Sequence, residues 1–138
     1  MTPGPGLLRR ALQARDRAAA AGRETEVVVL TRPRRGDFAL DAGDFGALLA
    51  DVVAAREAGA DGVALGVLTQ QGEVDVSRTA ELMAAAGAMR VTFHRAFDQL
   101  RDRAAGVEAL LGLGVHRLLT SGGASSAWEG RVELRALV

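Results

Sequence analysis

Cysteine and lysine are both missing from the 138 residues. Without a thiol the chain has no thiolate nucleophile, no disulfide and no Cys-based zinc site. Without a lysine amine it forms no Schiff base, so covalent lysine aldolase chemistry is excluded. Net charge is missing too: 17 basic residues, all arginine, balance 17 Asp and Glu for a formal charge of +0. That balance gives neither the basic footprint of a nucleic-acid binder nor an acidic tail. No stretch approaches the roughly 20 apolar residues of a membrane span. The start, Met1-Thr2-Pro3-Gly4-Pro5-Gly6, lacks the basic and apolar regions of a signal peptide. Lack of cysteine fits the cytosol, so the expectation is a cytoplasmic protein with neither nucleic acid nor membrane among its partners. Arginine in place of lysine, with heavy use of Ala and Gly, is explained more simply by a GC-rich genome than by selection for guanidinium chemistry.

What the chain does have is a hydrophobic fraction of 49%, ample for the core of one domain spanning residues 1–138. No linker or low-complexity tract divides it. Four segments are apolar at their centres and end in polar or Gly residues: Glu26 to Arg34, Gly62 to Thr69, Val91 to Asp98 and His116 to Gly123. Each is followed by a helical pattern, which argues an α/β fold with a parallel sheet and a ligand site beyond the carboxyl ends of the strands. The expected strands are Val27 to Thr31, Gly62 to Leu68, Arg90 to Phe93 and Arg117 to Leu119. The expected helices are Leu7 to Ala20, one capped by Asp41 or Asp44 and ending at Gly59, Asp75 to Ala86, and Leu100 to Leu113. A last helix would be opened by a Ser126 and Glu129 capping box.

Chemistry concentrates where the third strand ends, at His94-Arg95-Ala96-Phe97-Asp98. His94 is the leading catalytic candidate, because imidazole titrates near neutrality and this one ends a strand. Its parity matches Thr92: if that side faces inward His94 meets a ligand, and otherwise Arg95 takes the place. The competing reading is a histidine hydrogen-bonded to a neighbouring loop. Arg32 and Arg34 share parity on one loop and suit a small anionic ligand, a carboxylate or phosphate. Pairing with Asp37 or Asp98 would use them instead. Asp98 is the better of these carboxylates as an orienting group or acid/base. Thr120, Ser121 and Gly122, with Gly123, supply hydroxyls and backbone N–H groups that form a candidate anion loop, or simply a tight turn. His116, at the start of its strand, reads as structural, and Trp128, Met83 and Met89 read as packing. No metal site is evident, since Cu(I) prefers the thiolates and thioethers that this chain lacks or barely has.

Several motifs, in order, resemble those of the CutC family: Arg32-Pro33-Arg34 with Gly36-Asp37-Phe38, Gly66-Val67-Leu68 with Gly72 and Val74-Asp75, Met83-Ala84-Ala85-Ala86-Gly87, Val91 through Asp98, and Leu119-Thr120-Ser121-Gly122. The resemblance implies a (β/α)₈ (TIM) barrel associated with copper homeostasis, and copper is implied by it alone. A closed barrel of this kind typically takes about 250 residues. The four strands correspond to the family's third through sixth, so the expectation is a partial barrel. The functional alternatives are a TIM-barrel enzyme acting on a small anionic metabolite through His94, and a non-catalytic half-barrel completed by a homo-oligomeric partner.

Overall fold

The computed structural model describes residues 1–137. Its strands are β1 (Val28–Leu30), β2 (Gly62–Leu65), β3 (Arg90–Phe93) and β4 (Arg117–Leu118). They pair in the order β1-β2-β3-β4, every pair parallel. Helices α1 (Pro5–Ala20), α2 (Ala42–Glu57), α3 (Val76–Ala86), α4 (Arg103–Gly112) and α5 (Arg131–Ala136) alternate with them. Asp41, Asp75 and Asp102 each accept a backbone N–H from three residues on, at 2.8, 3.0 and 3.0 Å, and so start α2, α3 and α4. Such caps satisfy donors that a helix start otherwise leaves unpaired.

The two faces of the sheet differ sharply. Val29, Val63, Leu65, Val91 and Phe93 lie under the helices and none is more than 3% exposed. They join Leu48 and Val52 of α2 and Leu82 of α3 in one core, where each fully buried Val, Leu or Phe contributes about 1.5–3 kcal/mol. The register places Leu30, Ala64, Thr92 and Arg117 side by side on the opposite face. That face is open: Val28 is 39% and Leu30 40% exposed. At its lower end Glu26 pairs with both Arg90 (2.8 Å) and Arg117 (2.7 Å), and His116 Nδ1 accepts the Val91 N–H at 3.1 Å. Among the described residues no helix is long and apolar enough to cross a membrane.

Four sequence expectations need correction. The strand expected to run to Leu68 stops at Leu65. Val67 and Leu68 are buried beneath a loop in which Leu68 donates to Phe38 and bridges to Val74 in antiparallel sense, so their apolar character reflects loop packing. The helix expected from Leu100 starts only at Arg103, because the preceding residues Arg95–Gln99 form a 3-10 helix capped by His94. The capping box forms only in part: Ser126 accepts the Glu129 N–H at 3.3 Å, but the Glu129 carboxylate turns to Ser125 and α5 begins at Arg131. The intervening turn is pinned against the loop after β4, where Gly130 lies so close to Ser121 that a Cβ would fall 1.8 Å from its carbonyl oxygen. Finally, Trp128 does not pack in the core. It is 76% exposed, with the Arg131 guanidinium stacked 4.8 Å from its ring centre.

Candidate functional site

Two residues beyond the Leu30, Ala64, Thr92 row, the same parity brings Arg32, Gly66, His94 and Leu119 to the carboxyl ends of the strands. Thr92 and His94 therefore face the open side. Leu30, Arg32, Phe38, His94, Arg95 and Leu119 line a small cleft there of about 200 Å³.

His94 is 5% exposed. Its Nδ1 accepts the Ala96 N–H at 3.2 Å, so in the neutral ring the proton sits on Nε2. Among the described residues Nε2 has no hydrogen-bond partner, and it is not sealed off from solvent. The ring packs at 5.0 Å on Phe38 and edge-on at 6.3 Å to Phe93. Burial, followed by the positive charge of Arg32, pushes the His94 pKa down to about 4. The imidazole is consequently neutral at pH 7 and presents an N–H.

Arg32 lies 4.6 Å over the Phe38 ring and donates to the Arg34 carbonyl (3.1 Å) and the Gly36 carbonyl (2.8 Å). No carboxylate pairs with it among the described residues. Arg34 is the opposite case. It is held by Asp37 at 2.7 Å, by Asp44 and by the Ala39 carbonyl at 3.1 Å, which fastens the loop to α2 and turns this guanidinium away from the cleft. Shared parity thus fails to put both guanidinium groups in the cleft, because the chain bends through residues 33–36 and the Arg34 side chain is bound to Asp37 and Asp44.

Asp98 and the loop after β4 form one closed network beside the cleft. The carboxylate accepts from Thr120 Oγ1 (2.5 Å), the Ser121 N–H (3.1 Å), the Gly123 N–H (3.0 Å) and Arg95 Nε (2.8 Å). Arg95 Nη2 reaches Ser121 Oγ at 2.7 Å and the Ala124 carbonyl at 3.2 Å, and the Gly122 N–H donates to Thr120 Oγ1 at 2.9 Å. Gly122 and Gly123 have φ of 70° and 74°, the left-handed values that aim successive N–H groups at one anion. That anion is the chain's own Asp98. Burial alone would raise its pKa, but bonds from Thr120, Arg95, Gly123 and Ser121 outweigh it and lower the value to about 2. Asp98 orients Arg95 and the loop, and makes no contact with His94 among these bonds.

Two contributors were not singled out as site residues by sequence reasoning. Phe38 covers His94, and Gly66 gives it room: a Cβ on Gly66 would lie 2.6 Å from His94 Nδ1. The available signal was a glycine at the position in line with His94 on the adjacent strand, since glycine at a strand end marks close approach.

Comparison with known proteins bears on the fold and the family. The family model described as the CutC family matches residues 1–138. A CutC family protein of Chromobacterium violaceum is 50% identical over 108 residues, covering 78% of this chain and 44% of that protein. One from Mesorhizobium japonicum is 44% identical over 138 residues, covering 100% of this chain and 50% of its own. The chain therefore spans about half the length of the curated relatives it matches. The crystal structure of a CutC protein from Streptococcus agalactiae, named provisionally for copper homeostasis, superposes with a TM-score of 0.88 at 27% identity, over 99% of this chain and 65% of that one.

A copper ion does not fit the donors present. Among the described residues no three His, Cys, Asp or Glu side chains converge. His94 has its Nδ1 engaged by Ala96, aromatic rings against it and Arg32 acting on it, a positive charge that repels a cation. The four parallel strands, the superposition and a family match across every residue lead to one conclusion: the chain belongs to the CutC family.

Proposed function

We propose that this chain serves a cytoplasmic copper-homeostasis role by binding a small anionic metabolite at the strand ends, and not by ligating copper itself. The observation that carries the reading is the pairing, in one cleft, of a guanidinium without a carboxylate partner and an unengaged imidazole nitrogen, those of Arg32 and His94. Arg32 supplies the charge that attracts the anion, with Arg95 also lining the cleft. His94 donates Nε2–H to an oxygen of the ligand. With its pKa near 4 it works at pH 7 as a neutral donor to a carbonyl or carboxylate oxygen, a role that supports charge developing there without delivering a proton. Asp98, Thr120, Ser121 and Gly122 hold Arg95 in place, and Arg34 holds the loop that carries Arg32.

Calorimetric titration with acetate, pyruvate, inorganic phosphate and Cu(I) tests this. The expected result is binding of one of the anions, weakened at least about tenfold in Arg32→Ala, the loss of roughly 1.4 kcal/mol or more. Stoichiometric Cu(I) binding, or anion binding indifferent to Arg32→Ala, overturns the proposal.

A second reading, closure of the sheet against a second copy of the chain, is favoured by the open face: Val28, Leu30 and Leu119 are 39%, 40% and 51% exposed, and β1 and β4 each have an unpaired edge. Light scattering on a size-exclusion column would show a dimer dispersed by Leu30→Glu. A monomer at tens of micromolar refutes it.

A further inference from the structure

Glycine at position 66 needs a reason, and backbone conformation does not supply one. Gly66 is absent from the glycines with positive φ, so its dihedral angles suit any L residue. The constraint is space. A Cβ there would stand 2.6 Å from His94 Nδ1, 2.7 Å from His94 Cε1 and 2.9 Å from Ala96 Cβ, all closer than real Cβ contacts allow. The imidazole therefore occupies the place where a side chain just past the end of β2 would be.

We propose that Gly66 is a positioning residue: its missing side chain is the berth that holds the His94 ring against the sheet, with Nδ1 turned to the Ala96 N–H and Nε2 turned to the cleft. The role assigned to His94 rests on the function proposed above, whereas the berth itself rests on packing alone. Three observations converge on it. His94 is anchored at its backbone, its N–H donating to the Leu65 carbonyl at 2.8 Å, one residue before Gly66. Its Nδ1 accepts from Ala96 at 3.2 Å, which fixes the ring about its side-chain torsions. Phe38, 7% exposed, closes the other side at 5.0 Å. A ring confined by Gly66 and Phe38 and bonded at one nitrogen has a single nitrogen left to offer. Any side chain at position 66 would push the ring outward, separate Nδ1 from Ala96 and admit water. Among the described residues the charged groups acting on the ring or lining its cleft are Arg32, the chain's amino terminus and Arg95, with no carboxylate among them. Hydration is thus what a displaced ring would gain.

Nitrogen-15 NMR of the imidazole in the wild type and in Gly66→Ala tests the proposal. The wild-type ring is expected as a single tautomer with the proton on Nε2 and a titration midpoint near 4. In Gly66→Ala the tautomers should mix and the midpoint should rise by at least about one pH unit toward the ordinary histidine value. An unchanged tautomer and midpoint overturns the berth. A thermal-unfolding cycle with His94→Ala guards against a variant that merely folds poorly: most of the melting-temperature loss caused by Gly66→Ala should vanish once the ring is removed. An equal loss in both backgrounds overturns the proposal, because the clash would then lie elsewhere. Failure of anion binding to respond to Arg32→Ala strikes the proposed function and leaves these two readouts untouched, so the two ideas fail separately.

Discussion

Replacing Asp98 by Asn tests the network that shapes one wall of the cleft. The substitution keeps size and shape but removes the charge and puts an amide N–H₂ where Arg95 Nε now donates at 2.8 Å, so two donors face each other. Holding the carboxyl at about 2 instead of its ordinary 3.8 corresponds to about 2 kcal/mol of stability at neutral pH, at roughly 1.36 kcal/mol per pH unit. The side chain is only 8% exposed, so solvent screens this little, and the opposed donors add to the loss. The expected cost is about 2–4 kcal/mol, which in urea moves the unfolding midpoint down by about 1–2 M. The sign with pH is fixed. A depressed carboxyl pKa stabilises the fold above the unfolded value near 3.8 and the effect fades as pH falls toward 2. Urea titrations of wild type and Asp98→Asn at pH 7, 4, 3 and 2 should therefore converge in the acid range. A variant as stable as wild type at pH 7, or a deficit that stays constant from pH 4 to 2, would show that the carboxylate is not what holds the loop.

Other substitutions reach different parts of the structure. His94→Gln should remove a pH slope: with the folded pKa near 4 and the ordinary value at 6.5, the neutral ring stabilises the fold above 6.5. Wild type should lose up to about 1.4 kcal/mol per pH unit between those values, seen as a falling melting temperature that the variant lacks. Thr79→Val should hold or raise the melting temperature, because the Thr79 hydroxyl is fully buried with no partner among the described residues and its removal relieves a penalty of about 1–3 kcal/mol. Gly122→Ala should destabilise by more than about 1 kcal/mol, since position 122 has a φ of 70° and a Cβ would meet the Gly130 carbonyl at 2.5 Å; proteolysis within residues 120–130 would report the loosened loop.

Much of the architecture was legible because local signals agreed. Val27 to Leu30 and Arg90 to Phe93 combine β-branched residues with flanking polar ends, while Asp41, one of two candidate caps, and Asp75 stand one residue before their helices. Parity along β3 narrowed the inward residue to His94 or Arg95, and the packing of Val91 and Phe93 under the helices decided between them. What could not be read were choices among equivalent partners. Arg32 and Arg34 are alike in sequence, and only the path of the loop gives Asp37 and Asp44 to one and the cleft to the other. The Thr120 to Gly123 turn has the chemistry of an anion receptor, but sequence does not say that Asp98, 22 residues before Thr120, arrives first. Val67 and Leu68 extended the apparent strand because burial under a loop and burial in a sheet leave the same apolar trace.

The carboxylate of Glu26 reaches across the sheet to Arg90 and Arg117, residues 64 and 91 positions later in the chain. The fourth strand contributes only two residues to the ladder, too few to define its own alignment against a slip. Its placement is reinforced by backbone bonds from the His116 N–H to Val91 (3.1 Å) and the Leu119 N–H to Phe93 (2.9 Å), by His116 Nδ1 on the Val91 amide and by this acidic strap. The strap therefore joins segments far apart in sequence, and because its carboxylate and both guanidinium groups are partly exposed, added salt should loosen its hold on the fourth strand.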